Sequence, residues 1–432
     1  MRHHFLPYLL INGKGRTNCT DERLENYCDP MAPLAVVSVT PGLRYRFRII
    51  SAGTRVGISF SISNHVMTVV EAQGSQIVPF DTNELQMTMG GRYDVIVTMN
   101  QNVDNYWIRT KIIGCDGCSP DRTTVNVQPN LGWENYGILR YSGAQVADPT
   151  QPFTPPTLAT DYVSPLSPVT FLDTRIKVPV SLAPLLPAPT MHFTMNISST
   201  QVSVPWDTVA LRRFWWTNNH LFHMRPVPYL FLASQPNATF SQDDLIFTVP
   251  YGAVLDVVYN SFHNQDHPLH LHGFKFWYLG SGPGVYDPAT AAPLLNSINP
   301  PQLDTIVLEA YTWVLVRFVA DNPGAWLMHC HLDFHHAEEM SVLFIIAPER
   351  LTGLYPATNF PVCDSYPPYY QKQTSAPTTT TYAPPSADEG IALWIMILGA
   401  IVVAVIVIGA LLYWNKKRGG EEEGAYLLGG GR

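Results

Sequence analysis

HPLHLHG, residues 267–273, and DNPGAWLMHCHLDFHHAEEM, residues 321–340, are the two stretches on which the reading of this chain turns. Both contain strand-like runs, and in an extended strand alternate residues share a face. His270 and His272 therefore project to one side, as do His329 and His331, while Cys330 projects to the other. One strand then serves two sites. A lone histidine in a strand is ordinarily a polar surface residue, and a lone cysteine in an apolar run is ordinarily core packing. Here His267, His270, His272, His329, Cys330, His331 and His335 stand together with a thioether at Met340, which is a ligand pattern.

Two imidazoles, a thiolate and a weak thioether are the donor set of a type 1 copper site. His267, Cys330 and His335 supply its trigonal ligands and Met340 the axial place. A metal so held passes between Cu(I) and Cu(II) with little ligand movement, which suits electron transfer. Zinc would accept the same donor types, but structural zinc sites pair CxxC or HxxxH elements in one local module. Cys115 and Cys118 form a CxxC without a second such pair, and read as disulfide partners in an extracellular domain.

Working outward, 37 Pro and 29 Gly among 432 residues, with many Val, Ile, Tyr and Phe runs, favour short strands and tight turns. The fold class is all-β. A formal charge of -8 without a dense Lys/Arg stripe argues against nucleic acid as a partner. The first region, residues 1–147, carries RYRFRIISAG (44–53), SISNHVMTVVEAQG (61–74) and GRYDVIVTM (91–99). Residues 148–190 are a Pro-rich linker, and residues 191–370 repeat the strand theme in LIFTVPYGAVLDVVYNSF (245–262) and in the run from Asp304 to His331. Both regions read as Greek-key β-sandwiches.

Residues 371–390 are Ser/Thr/Pro-rich and suit an extended stalk. Residues 391–414 carry no charge, enough length for one transmembrane helix. Lys416, Lys417 and Arg418 follow, which places the tail, residues 415–432, in the cytoplasm and the remainder outside a plasma membrane. Glu423, Leu427 and Leu428 match an acidic dileucine pattern for endosomal cycling. Sequons at Asn18, Asn196 and Asn237 fall on the outer side. The opening MRHHFLPYLLI has no small-residue cleavage site and reads as an internal start.

The two histidine stretches resemble the last-domain copper motifs of the multicopper oxidases, the family of laccases, ascorbate oxidases and membrane-bound iron oxidases. LLINGKGR (9–16), RYRFRIISAG and GRYDVIV resemble that family's middle cupredoxin domain, which binds no copper, and only His65 remains there. The resemblance covers essentially all the globular sequence and implies two cupredoxin-like domains. It further implies that His270 binds type 2 copper and that His272, His329 and His331 serve the type 3 pair, with Cys330 passing electrons through its histidine neighbours. Donors would be oxidised near His267 or His335 and dioxygen reduced to water, with Asp333 a candidate proton donor or a structural strand-end carboxylate.

The family's first domain contributes a further HxHG and a further HxH motif, and beyond HLHG (270–273) and HCH (329–331) no second copy of either occurs in this sequence. The type 1 set is therefore complete, and the type 2 and type 3 sets are half present. The expectation is a laccase-like oxidase of phenols or aromatic amines lacking its first cupredoxin domain, with turnover in doubt. A membrane-anchored ferroxidase acting on Fe(II) and a non-catalytic copper-binding surface protein are the alternatives. Asp243, Asp244, Glu309 and Glu338 are either iron-guiding groups or solvated carboxylates. With Cys330 committed, Cys19, Cys28, Cys115, Cys118 and Cys363 leave an odd number; the resemblance makes Cys363 the orphan, its partner in the first domain.

Overall fold

β-Branched and aromatic runs punctuated by Gly, Asn and Pro build short strands, and the computed structural model of the chain is made of them. It describes residues 9–16, 29–115, 134–154, 176–183, 185–203, 211–225, 227–236 and 238–353. The expected stalk, membrane helix and tail, the sequons at Asn18 and Asn237, and the side chains of all cysteines except Cys330 lie outside those residues. Among the described residues, no helix is long and apolar enough to cross a membrane.

The first half contains a five-stranded sheet in the order β1 (Val36–Val39), β9 (Glu134–Tyr141), β8 (Asn105–Cys115), β3 (Val56–Ile62) and β6 (Leu85–Met87). Its companion has the order β2 (Arg44–Ile50), β7 (Arg92–Thr98), β4 (Met67–Ala72) and β5 (Ser75–Thr82). Ile62, Ile108 and Leu139 from one sheet and Met67, Val95 and Val97 from the other are buried in one core.

The second half has a six-stranded sheet, β11 (Leu211–Thr217), β10 (Met191–Ser203), β13 (Val254–Ser261), β18 (Thr312–Val319), β15 (Phe276–Pro283) and β16 (Gln302–Leu303). Against it stands a five-stranded sheet, β12 (Ile246–Val249), β20 (Ser341–Ile346), β19 (Gly324–Cys330), β14 (His267–Leu271) and β17 (Thr305–Leu308). β13 and β20 are buried along their whole length. Strands enclosed on both faces tend to read as apolar runs, as Val342–Ile346 of β20 does, whereas β13 buries Asp256, Asn260 and Ser261 among its apolar residues.

Described parts of the Pro-rich connection are packed rather than loose. Ile176 and Val178 are buried, the Val78 amide donates to the Lys177 carbonyl at 2.8 Å, and the Pro187 carbonyl accepts from Arg317 at 2.9 Å.

The two halves are joined by polar contacts centred on Asp304 and Thr305. Gln73 and Gly74 turn the β4–β5 hairpin, both with positive φ, 49° and 73°, the geometry that follows the strand twist. The Gln73 side chain then accepts from the Asp304 and Thr305 amides at 2.7 and 2.8 Å and donates to the Thr305 carbonyl at 2.8 Å. Arg92 grips the Asp304 carboxylate with both terminal nitrogens, and Lys275 donates to the Gly74 carbonyl at 2.7 Å.

Burial alone would raise the Asp304 pKa, but hydrogen bonds from Arg92, His270 and Thr305 outweigh it and hold the carboxyl well below the usual range. Such a group stabilises the fold fully above its unfolded pKa, about 3.9, and that contribution is lost as pH falls through the folded value. Arg92→Ala leaves this largely buried carboxylate without its main partner and is expected to cost about 2–3 kcal/mol at neutral pH. Denaturant melts should show the variant's deficit shrinking on acidification; a constant deficit would show that the pair does not act electrostatically.

Candidate metal centre

β19 pairs antiparallel with β14 so that Leu269 faces Cys330 and His270 faces His329. Because partners in register share a face, Cys330 lies on the side of Leu269 and His267, inside the sandwich, and His270 and His329 lie on the other side. The alternation read from the sequence is thus realised by the pairing. β19 ends at Cys330, and the helical turn α1 (Asp333–Ala337) brings the chain back over the sulfur. The Met340 amide donates to the His335 carbonyl at 2.9 Å, and the Cys330 amide to the Met340 carbonyl at 3.1 Å. Glu339, with φ 73°, makes the turn into Met340.

The result is a tight three-atom convergence. Nδ1 of His267 and Nδ1 of His335 are 3.2 Å apart, and the Cys330 sulfur is 3.8 Å from the first and 3.6 Å from the second. All three residues are buried, and their ligand atoms lie close enough together to hold one metal ion. Burial, then the neighbouring His335, holds the His267 pKa well below the usual imidazole value. Burial followed by the Arg213 charge brings His335 down to about 3. Both rings are therefore neutral, the form that binds metal. Met340, whose backbone bonds those of His335 and Cys330, is itself buried.

On the opposite face, His270, His272, His329 and His331 form a second group, with ring centroids 5.0 Å apart for His270 and His272 and 5.8 Å for His329 and His331. Nε2 of His272 is 3.1 Å from Nε2 of His329. Nδ1 of His270 sits 2.9 Å from the Asp304 carbonyl and 3.0 Å from the Thr305 hydroxyl, an outer contact of the kind that orients a ligand ring. His272 is exposed and the other three are partly so. The first half of the chain backs this face: a Cβ on Gly90 would meet His331 Cδ2 at 2.9 Å.

Asp333 opens α1, exposed, its amide donating to the Thr54 carbonyl at 3.1 Å. Among the described residues its carboxylate makes no hydrogen bond to the four histidines. His65, the sole histidine at the matching place in the first half, has both nitrogens engaged, by the Ser63 carbonyl and the Tyr141 hydroxyl, each at 2.7 Å. Neither is left for a metal. The Asn196 carboxamide, in a predicted sequon, accepts from Asn260 at 2.8 Å.

Sequence reading passed over three neighbours of these sites, Trp215, His263 and His336, and gave Glu338 only as an iron-guiding or solvated carboxylate. His263, Trp215 and Glu338 gather round the buried trio, and His336 packs 4.3 Å from His329. The adjacent pair His335–His336 was the available signal, since consecutive helical residues point about 100° apart and here face the two different sites.

Two family models described as multicopper oxidase match residues 6–144 and 204–350. The chain belongs to the multicopper oxidase family. It is 30% identical over 323 residues to Laccase-3 of Botryotinia fuckeliana, a match covering 71% of this chain and 65% of that protein. L-ascorbate oxidase of Cucurbita maxima is 30% identical over 384 residues, covering 79% and 62%. The chain thus spans less than two thirds of the length of either. The solved laccase of Botrytis aclada superposes with a TM-score of 0.62 at 27% identity, covering 79% of this chain and 59% of that one. Fet3p, at 23% identity and TM-score 0.58, shares the fold.

Copper is the cofactor this family implies, and the residues fit it. A first-row ion about 2.0 Å from each nitrogen and about 2.3 Å from sulfur, in a trigonal plane, spaces its donors roughly 3.5–3.8 Å apart, close to the triangle seen here. The buried, neutral His–His–thiol set is softer than a hard cation would require.

Two substitutions probe the two faces. Gly90→Ala forces a side chain into a left-handed position and against His331; it is expected to cost about 1–2 kcal/mol and to shift the His331 ring resonances by NMR, whereas unchanged resonances would show the fit is loose. Met340→Leu removes the weak thioether donor and should raise the reduction potential of a copper-loaded centre without abolishing it. A redox titration that returns the same potential would place Met340 off the metal axis.

Proposed function

We propose that this chain is the donor-side part of a laccase-like multicopper oxidase, which takes single electrons from phenols or aromatic amines and delivers them toward dioxygen. The observation that carries the proposal is the placement of the His267–Cys330–His335 trio and the four-histidine group on opposite faces of one sheet, with Cys330 bonded in sequence to a histidine of the second group on either side. Copper held by the trio supplies one-electron redox chemistry.

The protein's part is to exclude water and to join the two faces. His267 and Cys330 are 0% exposed, so neither solvent nor a second ligand competes for the centre. Nδ1 of His329 lies 2.8 Å from the Cys330 carbonyl, so a hydrogen bond reinforces the covalent route from Cys330 to the histidine face. The four histidines there are half the set that reduction of dioxygen uses in this family, and we assign the other half to a first cupredoxin domain. Asp333, exposed at the start of α1, is a candidate proton donor on that side. The uncharged segment 391–414 is proposed to anchor the assembly in the plasma membrane with the folded part outside.

Fe(II) is a second reading of the donor. Fet3p is a multicopper oxidase that functions in iron import, and the adjacent carboxylates of Glu338 and Glu339 lie directly before Met340. Anaerobic stopped-flow mixing separates the cases. A phenol is expected to reduce one centre per copper-loaded chain, faster than Fe(II) does, with no steady oxygen consumption when air is admitted; fusing a laccase first domain should restore that consumption. Faster reduction by Fe(II) favours the ferroxidase, and no reduction by either donor leaves a copper-binding surface protein.

A further inference from the structure

His267 and His335 are closed over by a residue from the other sheet. Trp215 lies on β11, the edge strand whose Trp215 pairs with Ser199 of β10, and it is 1% exposed. Its ring centroid is 4.2 Å from that of His335 at an interplanar angle of 48°, and 4.7 Å from that of His267 at 78°. The next residue, Trp216, faces the opposite way, as strand alternation requires, and donates to the Thr200 hydroxyl at 2.8 Å. Trp215 is held at its far edge, where Nε1–H donates to Oε2 of Glu338 at 3.0 Å. The Arg213 guanidinium stands 5.5 Å from the indole and bonds Gln265, two residues before His267.

The His267 ring needs such a support. A metal-binding imidazole ordinarily donates its second nitrogen to a carboxylate, carbonyl or water, and that bond fixes the ring plane. Nε2 of His267 is buried and hydrogen-bonded to no protein group among the described residues. Packing must then do what a hydrogen bond does elsewhere, and the indole is the ring that touches both imidazoles.

We propose that Trp215, anchored by Glu338, is a positioning residue that fixes the ring planes of His267 and His335 and thereby sets the geometry and reduction potential of the metal centre. The proposal rests on the copper reading above. Loosened rings let Cu(II) relax toward the tetragonal arrangement it prefers with nitrogen ligands, so loss of the support lowers the potential and widens the parallel hyperfine splitting.

The test uses the full copper-loaded chain and reads the electron paramagnetic resonance spectrum, the charge-transfer band and the potential for wild type, Trp215→Phe, Glu338→Leu, Glu338→Gln and the Trp215→Phe/Glu338→Leu double variant. Trp215→Phe and Glu338→Leu should both widen the splitting and lower the potential. Glu338→Gln should stay near wild type, because its amide oxygen accepts the same bond, and the double variant should exceed Trp215→Phe by little, since both act on one contact. Wild-type spectra and potential in Trp215→Phe would overturn the role, as would equal effects of Gln and Leu at 338. If thermal melts show Trp215→Phe unfolded, the Gln-against-Leu comparison decides alone. A wild-type chain without a blue site refutes the copper reading instead, a result separable from failure of the variants.

Discussion

Everything in the second half depends on one register: Leu269 opposite Cys330 and His270 opposite His329. Side chains in a strand alternate with period two, so a slip of one residue would carry the thiol to the histidine face and the histidines into the core. The register is held from both sides. β20 pairs with β19 from Gly324↔Ile346 to His329↔Ser341, and β17 pairs with β14 from His267↔Leu308 to His270↔Thr305. Both flanking strands are buried throughout, so apolar packing fixes the position of two polar sites.

The sheet therefore acts as a partition. Its inner face buries neutral imidazole and thiol with their ligand atoms close enough to share one ion, and its outer face offers histidines with partial access to solvent. The first half contributes to the outer face through Gly90 at His331 and through the Arg92 and Gln73 contacts to Asp304 and Thr305. Those residues in turn hold His270 by its Nδ1. The contact between halves and the orientation of a candidate ligand are thus one structure, and a change at the joint reaches the histidine face.

Much of this was legible in the sequence because strand alternation is a simple rule. HPLHLHG and LMHCH place their own side chains on two faces without tertiary information, and the all-β class followed from the turn residues. His335 was harder, since it returns to Cys330 through the α1 turn and not by alternation; the donor set that a type 1 copper needs supplied it. Trp215 and His263 were not legible as site residues, and Glu338 was read only as an iron-guiding or solvated carboxylate, not as the partner of Trp215. They come from an edge strand of the opposing sheet, a loop and a helix end, and nothing in their local spelling marks them. The connection 148–190 read as a linker from its prolines, yet Ile176 and Val178 are buried, because composition does not report which apolar residues find a surface to cover.

The most direct test of the account is titration of the metal-free full chain with Cu(II), followed by absorption and electron paramagnetic resonance. The account predicts an intense thiolate-to-copper band with a narrow parallel hyperfine splitting that saturates at one equivalent and is absent in Cys330→Ser. A colourless copper complex with an ordinary wide splitting, or a band that survives Cys330→Ser, would contradict it.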